Sequence, residues 1–341
     1  MPSAVRLPLC TGLLARQAAP RRGQDGHTPA LLAFIVPAGK SLAAAREMKE
    51  KPRLSAGETS PFLAPLDRLS RAAVMTLSPC GEGSMAWRQW GAGPPLVLLH
   101  GGYGSWTHWL RNIDALAQRY RVIAADLPGL GDSARPPAPI TPEGLAAIIA
   151  RGLDAVLPGR ERFHLVGFSF GAMLGGFVAA SRGAQLRSMT LVGSVSMGLR
   201  RAPMQPIEPP DPRMSREEFA ALQRANLGIL MFADPRRIDD LAVHLQCENV
   251  ARARVRSQVF ARKDLLGPVL PRIEAPLGGI WGEYDATAYP WVEDRRGLLR
   301  RAQPEAFFAV VPGAGHWVMY EAADAFNRVL LDRLAALDAG A

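Results

Sequence analysis

Leu165-Val166-Gly167-Phe168-Ser169-Phe170-Gly171-Ala172-Met173 is the stretch on which the reading of this chain turns. The apolar run from Phe163 to Val166 predicts a buried strand, and the small residues from Ala172 to Ala180 predict a helix. Between them, Gly167-x-Ser169-x-Gly171 reads as a sharp turn. Such a turn projects a serine hydroxyl at the mouth of a sheet, and its glycines let helix and strand approach closely. Ser169 is therefore the candidate nucleophile. A five-residue pattern is weak support by itself, so the weight rests on what surrounds it.

Working outward, strands are predicted at 86–90, 95–99, 121–126, 163–167, 188–193, 276–281 and 306–311. Trp106, Trp109, Leu110, Ile113, Leu116, Ala117 and Tyr120 recur as one helical face, Thr141-Pro142-Glu143 opens a helix over 142–156, and a last helix follows His316 to about residue 337. Strands alternating with helices predict an α/β fold with a mostly parallel central sheet and helices on both faces. Sites in such sheets lie beyond the carboxyl ends of the strands. The alternation breaks once, over 199–270. A proline-rich entry (Pro203, Pro206, Pro209, Pro210, Pro212) leads to a capping box, Ser215 to Glu218, that opens a helix to about Met231; Ala233-Asp234-Pro235 then starts a second. Ordinary connections run to about 2–6 residues, so this segment is expected to be an inserted helical lid between core parts 75–198 and 271–341.

The 341-residue chain carries a formal net charge of +9. Residues 1–74 hold 11 Lys/Arg against 5 Asp/Glu (+6), and residues 75–341 hold 29 against 26 (+3), so most of the excess sits on the leader. The remainder lacks the aromatic and basic interleaving of a nucleic-acid groove, and no nucleic-acid partner is expected. The leader, rich in Ala, Arg and Pro, is expected to be disordered or to precede the true start, at Met75 or, second, Met48. Its Arg-rich, acid-poor composition also matches a transit peptide, but the broken apolar run over 7–14 does not fit a secretory signal, and a cytoplasmic location is expected. Cys10, Cys80 and Cys247 are too scattered for a disulfide framework or a zinc cluster, and no metal or cofactor is expected. No apolar run approaches the roughly 20 residues that span a bilayer.

Five pieces occur in order along the chain: His100-Gly101-Gly102, Asp126-x-Pro-Gly-x-Gly-Asp-Ser133, the elbow at Ser169, Gly282-Glu283-Tyr284-Asp285, and Gly313-Ala314-Gly315-His316. On this pattern the chain resembles the α/β-hydrolase superfamily over about residues 80–338. The resemblance implies a triad of Ser169, Asp285 and His316. The chemistry agrees: a serine hydroxyl is a weak nucleophile until an imidazole takes its proton, and the imidazole needs a carboxylate to fix its tautomer. Glu283 is the nearest competitor of Asp285. Some relatives carry the acid after the preceding strand, but Val192-Gly193-Ser194-Val195-Ser196 offers none.

The backbone amides of Phe170 and Gly102 are the expected oxyanion donors, with Tyr103 the alternative to Gly102. His100 is expected to hold that loop. Relatives that open epoxides or remove halides carry aspartate at the elbow, so serine points to acyl chemistry on a small-molecule ester. Met197, Met231 and Trp317 are expected to line an apolar acyl pocket together with Tyr103. Asn249, Arg252 and Arg256, at i, i+3 and i+7, read either as a solvated basic face or as a clamp for a substrate carboxylate. The clamp resembles the carbon–carbon bond hydrolases of aromatic ring-cleavage pathways, although Phe168 stands where those carry Asn. A low-turnover ligand receptor of the same fold is a third reading, and the oligomeric state is not specified.

Overall fold

The computed structural model describes residues 60–340. Its strands are β1 (Val74–Cys80), β2 (Gly83–Trp90), β3 (Pro95–Leu99), β4 (Arg121–Ala125), β5 (Phe163–Phe168), β6 (Leu186–Val192), β7 (Leu277–Gly282) and β8 (Phe307–Val311). They form one sheet in the order β1-β2-β4-β3-β5-β6-β7-β8. β2 runs antiparallel to both neighbours, and every other pairing is parallel. The helices are α1 (Ala64–Ala72), α2 (Ile113–Ala117), α3 (Pro142–Val156), α4 (Phe170–Arg182), α5 (Arg216–Leu230), α6 (Asp240–Arg252), α7 (Gln258–Ala261), α8 (Val292–Ala302), α9 (Val318–Glu321) and α10 (Ala323–Ala339). Among the described residues no helix is long and apolar enough to cross a membrane.

The strand period of two distributes the apolar runs between two cores. Val97 and Leu99 of β3 join Leu165, Ile149 and Met173 under α3 and α4, while Leu96 and Leu98 join Val166, Trp109 and Phe326 on the opposite face. Both faces being covered, β3, β5 and β7 are buried at every position, which is why they read as unbroken apolar runs.

Three expectations need correction. The leader does not extend to residue 74 as disorder: α1 buries Leu69, and the Trp90 indole donates to the Leu69 carbonyl at 2.9 Å. The expected boundary at Met75 falls inside β1, which the sequence reading missed because Val74, Met75 and Leu77 are exposed on the edge strand. Residues 1–59 of the leader lie outside the described residues. The single helix expected over 106–120 is a 3-10 turn, Trp106–Trp109, followed by α2. The break falls at Asn112, whose side chain donates to Met319 O and Asn327 Oδ1 instead of facing solvent. The apolar face was nevertheless read correctly, since Trp106, Trp109, Leu110, Ile113 and Leu116 are all buried.

Between β6 and β7 lie α5, α6 and α7. The capping box of α5 forms, with Ser215 Oγ accepting from Glu218 N and the Glu218 carboxylate accepting from Ser215 N at 2.7 Å. The second lid helix starts later than expected. Pro235 opens only a 3-10 turn capped by Asp234, and α6 begins after Asp239, whose carboxylate accepts from Ala242 N at 2.8 Å.

Candidate active site

The elbow follows from sterics. A Cβ on Gly167 would lie 2.5 Å from Gly171 O, and one on Gly171 would lie 2.3 Å from His100 O and 2.5 Å from Leu99 O. Glycine at 167 therefore lets α4 approach β5, and glycine at 171 lets it approach the end of β3. Between them Ser169 takes φ 51° and ψ −111°, a left-handed backbone that costs a non-glycine residue about 1–3 kcal/mol. Its amide donates to Val192 O at 2.8 Å, tying the elbow to the end of β6.

His316 Nε2 lies 3.0 Å from Ser169 Oγ, and Nδ1 lies 2.9 Å from each Asp285 oxygen. An ionised carboxylate only accepts, so Nδ1 carries the proton and the Nε2 lone pair faces the serine hydroxyl. Asp285 is fully buried and also accepts from the Thr287 amide and hydroxyl, each at 2.8 Å. Burial works against its charge, but the His316 imidazole and the two Thr287 donors outweigh it and hold the carboxyl below its usual range. Arg295 donates to Thr287 O at 2.8 Å and so braces the turn from behind. The competitor Glu283 instead accepts from Gly313 N at 2.9 Å, in the loop leading to His316.

The end of β6, where the sequence offers no acid, touches the His–Asp pair through a glycine. A Cβ on Gly193 (φ +50°) would lie 3.0 Å from Asp285 Oδ2 and 3.1 Å from His316 Nδ1. Asp285→Asn keeps this packing but presents an amide to Nδ1, favouring the tautomer that turns N–H toward Ser169. Turnover of p-nitrophenyl acetate is expected to fall by about 10^4-fold with the melting curve little changed.

Sequence reasoning missed Glu321. Its buried carboxylate accepts from Gly315 N at 2.6 Å and from the Ala233 and Asp234 amides at 3.0 and 2.9 Å. It thus fastens the lid segment after α5 to the loop that carries His316. A lone glutamate in a short apolar helix gives no signal of such a role.

The Phe170 amide is the first of α4, and neither it nor the Gly102 amide has a partner among the described residues. His100 sets the loop beside them. Its Nδ1 lies 2.7 Å from Gly101 O and its Nε2 accepts from Leu127 N at 2.8 Å, which requires the neutral ring. Burial, against the pull of Asp126, lowers its pKa to about 4 from 6.5. The unfolded chain then takes up a proton first as pH falls, so this contribution to stability is whole above about 6.5 and is lost on the way to about 4. Buried His108, which accepts from Gly101 N at 3.2 Å and is held well below its usual range by burial and by His100 and His316, acts in the same direction. Urea midpoints measured from pH 7 to pH 4.5 are expected to fall, with about 3 kcal/mol from His100 over the full range. A flat profile would contradict the neutral pairing.

Of the expected pocket residues, Tyr103 is half-buried and its hydroxyl donates to Gln258 Oε1. Trp317 is wholly buried, its indole donating to His108 O at 3.0 Å, and Met231 and Met197 are buried in the two cores. The basic face is also corrected. α6 ends at Arg252, so Arg256 does not continue it, and Asn249 is buried with its amide on Thr107 Oγ1. Arg252 pairs with Asp132 at 3.0 Å and Glu248 at 2.9 Å at the surface. A cavity of about 230 Å³ beside that pair, lined by Arg88, Asp126, Asp132, Glu248, Asn249 and Arg252 among others, includes none of Ser169, Asp285 and His316. Among the described residues no cluster of His, Cys, Asp and Glu is placed to hold a metal ion.

A sequence model of the alpha/beta hydrolase family matches residues 96–329, which contain Ser169, Asp285 and His316. The chain belongs to this family. The α/β hydrolase is 30% identical over 253 residues to a 2-hydroxy-6-oxononadienedioate/2-hydroxy-6-oxononatrienedioate hydrolase of Paraburkholderia phymatum, covering 70% of this chain and 86% of that one. It is 31% identical over 264 residues, 74% of its length, to the dihydrolipoyllysine-residue acetyltransferase component of the acetoin cleaving system of Pseudomonas putida, and spans 66% of that protein. Among solved structures the α/β hydrolase resembles a thermophilic esterase from Thermogutta terrifontis (23% identity, TM-score 0.57, covering 78% of this chain and 98% of that one). A variant of the meta-cleavage product hydrolase from Pseudomonas fluorescens is similar at 22% identity and TM-score 0.60, covering 74% of this chain and 94% of that one.

Proposed function

We propose that this α/β hydrolase cleaves a small to medium carboxylic ester through an acyl-enzyme on Ser169, without a cofactor. The observation that carries the reading is the continuous line from Ser169 Oγ through His316 to Asp285 at 3.0 and 2.9 Å. His316 Nε2 takes the Ser169 proton as Oγ attacks the ester carbonyl, and Asp285 stabilises the resulting imidazolium. The Gly102 and Phe170 amides receive the developing oxyanion. His316 then gives its proton to the departing alkoxide, and water, deprotonated by the same imidazole, releases the acid. The Ser169 strain fits this role, because the turn aims Oγ before substrate arrives.

A second reading, hydrolysis of a carbon–carbon bond in a 2-hydroxy-6-oxodienoate, is favoured by relatives named as such hydrolases at 30% and 29% identity. The engagement of Arg252 with Asp132 and Glu248 weighs against it, because that arginine is not available to a substrate carboxylate in this arrangement. Turnover of p-nitrophenyl esters of graded chain length, set beside 2-hydroxy-6-oxo-6-phenylhexa-2,4-dienoate, separates the two. The ester reading expects the higher kcat/KM on a short ester; a higher value on the dienoate would replace it with the second.

A further inference from the structure

One short piece of the segment between β6 and β7 lies against both residues whose amides are assigned to the oxyanion hole, Ser257 at Gly102 and Phe260 at Phe170. A Cβ on Gly102 would sit 2.1 Å from Ser257 Oγ, 3.0 Å from Ser257 Cβ and 3.8 Å from Phe170 Cβ. The Ser257 hydroxyl thus occupies the space over Gly102, with Phe170 also bordering it. Ser257 is 4% exposed, and its hydroxyl has no hydrogen-bond partner among the described residues. The Ser257 oxygen is not one of the fully enclosed side-chain polar atoms that lack a partner, so it stays open to an approaching ligand.

The segment carrying Ser257 is held firmly from both ends. On the N-terminal side Arg254 N donates to Gly129 O at 2.8 Å, and its guanidinium donates to Gly131 O and Ser133 O at 2.7 and 2.5 Å. On the C-terminal side Phe260 stacks on Phe170 with ring centroids 5.9 Å apart and 17° between planes. Ser196 Oγ donates to Phe260 O at 2.7 Å, and Arg201 donates to Ala261 O at 2.6 Å. Between them Gln258 accepts from the Tyr103 hydroxyl. Ser257, Gln258 and Phe260 therefore meet Gly102, Tyr103 and Phe170 in turn. Such fixing of a donor before reaction is what makes it effective at a transition state.

We propose that Ser257 is a third donor of the oxyanion hole, its hydroxyl joining the Gly102 and Phe170 amides on the substrate carbonyl oxygen as it gains charge. This rests on the hydrolase reading above. The Asp126–Ser133 loop then serves to anchor the lid segment that brings Ser257 to the site.

The test is steady-state hydrolysis of p-nitrophenyl acetate by the full chain carrying Ser257→Ala, Ser257→Cys or Ser257→Thr, with affinity for phenylboronic acid measured alongside. Ala and Cys, which remove or weaken the donor, are expected to lower kcat about 10- to 100-fold with KM little changed, and to weaken boronate binding in parallel. Thr, which keeps a hydroxyl, is expected to recover most of kcat. Wild-type kcat and boronate affinity in both Ala and Cys variants would overturn the proposal, as would an equal loss in all three. Should Ala fail to fold, Cys, of nearly the same volume, gives the same comparison with Thr. If the unmutated protein turns over no ester and takes no fluorophosphonate label, the hydrolase reading itself fails, and this one with it.

Discussion

Ser169→Ala is expected to lower ester turnover by about 10^6-fold while leaving the fold intact. The hydroxyl is the only atom lost, and its contact is with His316 Nε2, so no core packing is removed. Alanine accepts the same left-handed backbone at similar cost, which keeps the N–H of residue 169 on Val192 O and the start of α4 unchanged. The melting temperature should therefore stay within a few degrees of wild type. What survives is the oxyanion hole and substrate binding, which by themselves leave catalysis about 10^3- to 10^4-fold over water. Retained turnover beyond that level would mean that another group attacks the carbonyl.

Gly171→Ala is expected to do the opposite, weakening the fold along with activity. The added methyl would meet the carbonyl oxygens of His100 and Leu99 at 2.3 and 2.5 Å, and these are backbone atoms inside the sheet that cannot turn aside. Relief requires α4 to lift from β3, opening the core that holds Leu99, Leu165 and Met173 and displacing the loop that carries Gly102. Overpacking of this kind costs about 1–3 kcal/mol where side chains can adjust, and the cost here should lie at or above the top of that range. Gly313→Ala is the control: φ there is +68°, but nothing lies within 4 Å of its added methyl. Its loss should be about 1 kcal/mol, from backbone strain alone. Urea denaturation of the two variants measures the difference, and equal losses would contradict the steric account of the elbow.

What could be read from the sequence was what is local. The elbow is written in five consecutive residues, Asp285 follows the end of β7, whose apolar run is unbroken because the sheet is covered on both faces there, and His316 follows β8, an apolar edge strand that is half-buried. The supporting groups were hidden because their partners are remote. Asn112 breaks a helix through bonds to residues 207 and 215 positions away, and Thr287, Arg295 and Glu321 look like ordinary polar residues until the chain folds. Arg252 agrees with the solvated-face reading, and its helical spacing from Asn249 is real; what spacing does not show is its partner Asp132, 120 residues earlier. β1 escaped because an edge strand with exposed apolar residues lacks the buried-strand pattern, although Cys80-Gly81-Glu82-Gly83 carried a hairpin signal.

The assignment of Ser169 as a nucleophile activated by His316 is tested most directly by treating the folded protein with a fluorophosphonate and locating the adduct by peptide mass spectrometry. One adduct is expected, on Ser169, formed quickly in the wild type and at a much lower rate in His316→Ala. A folded protein that takes no label, or an adduct that persists in Ser169→Ala, would contradict the assignment.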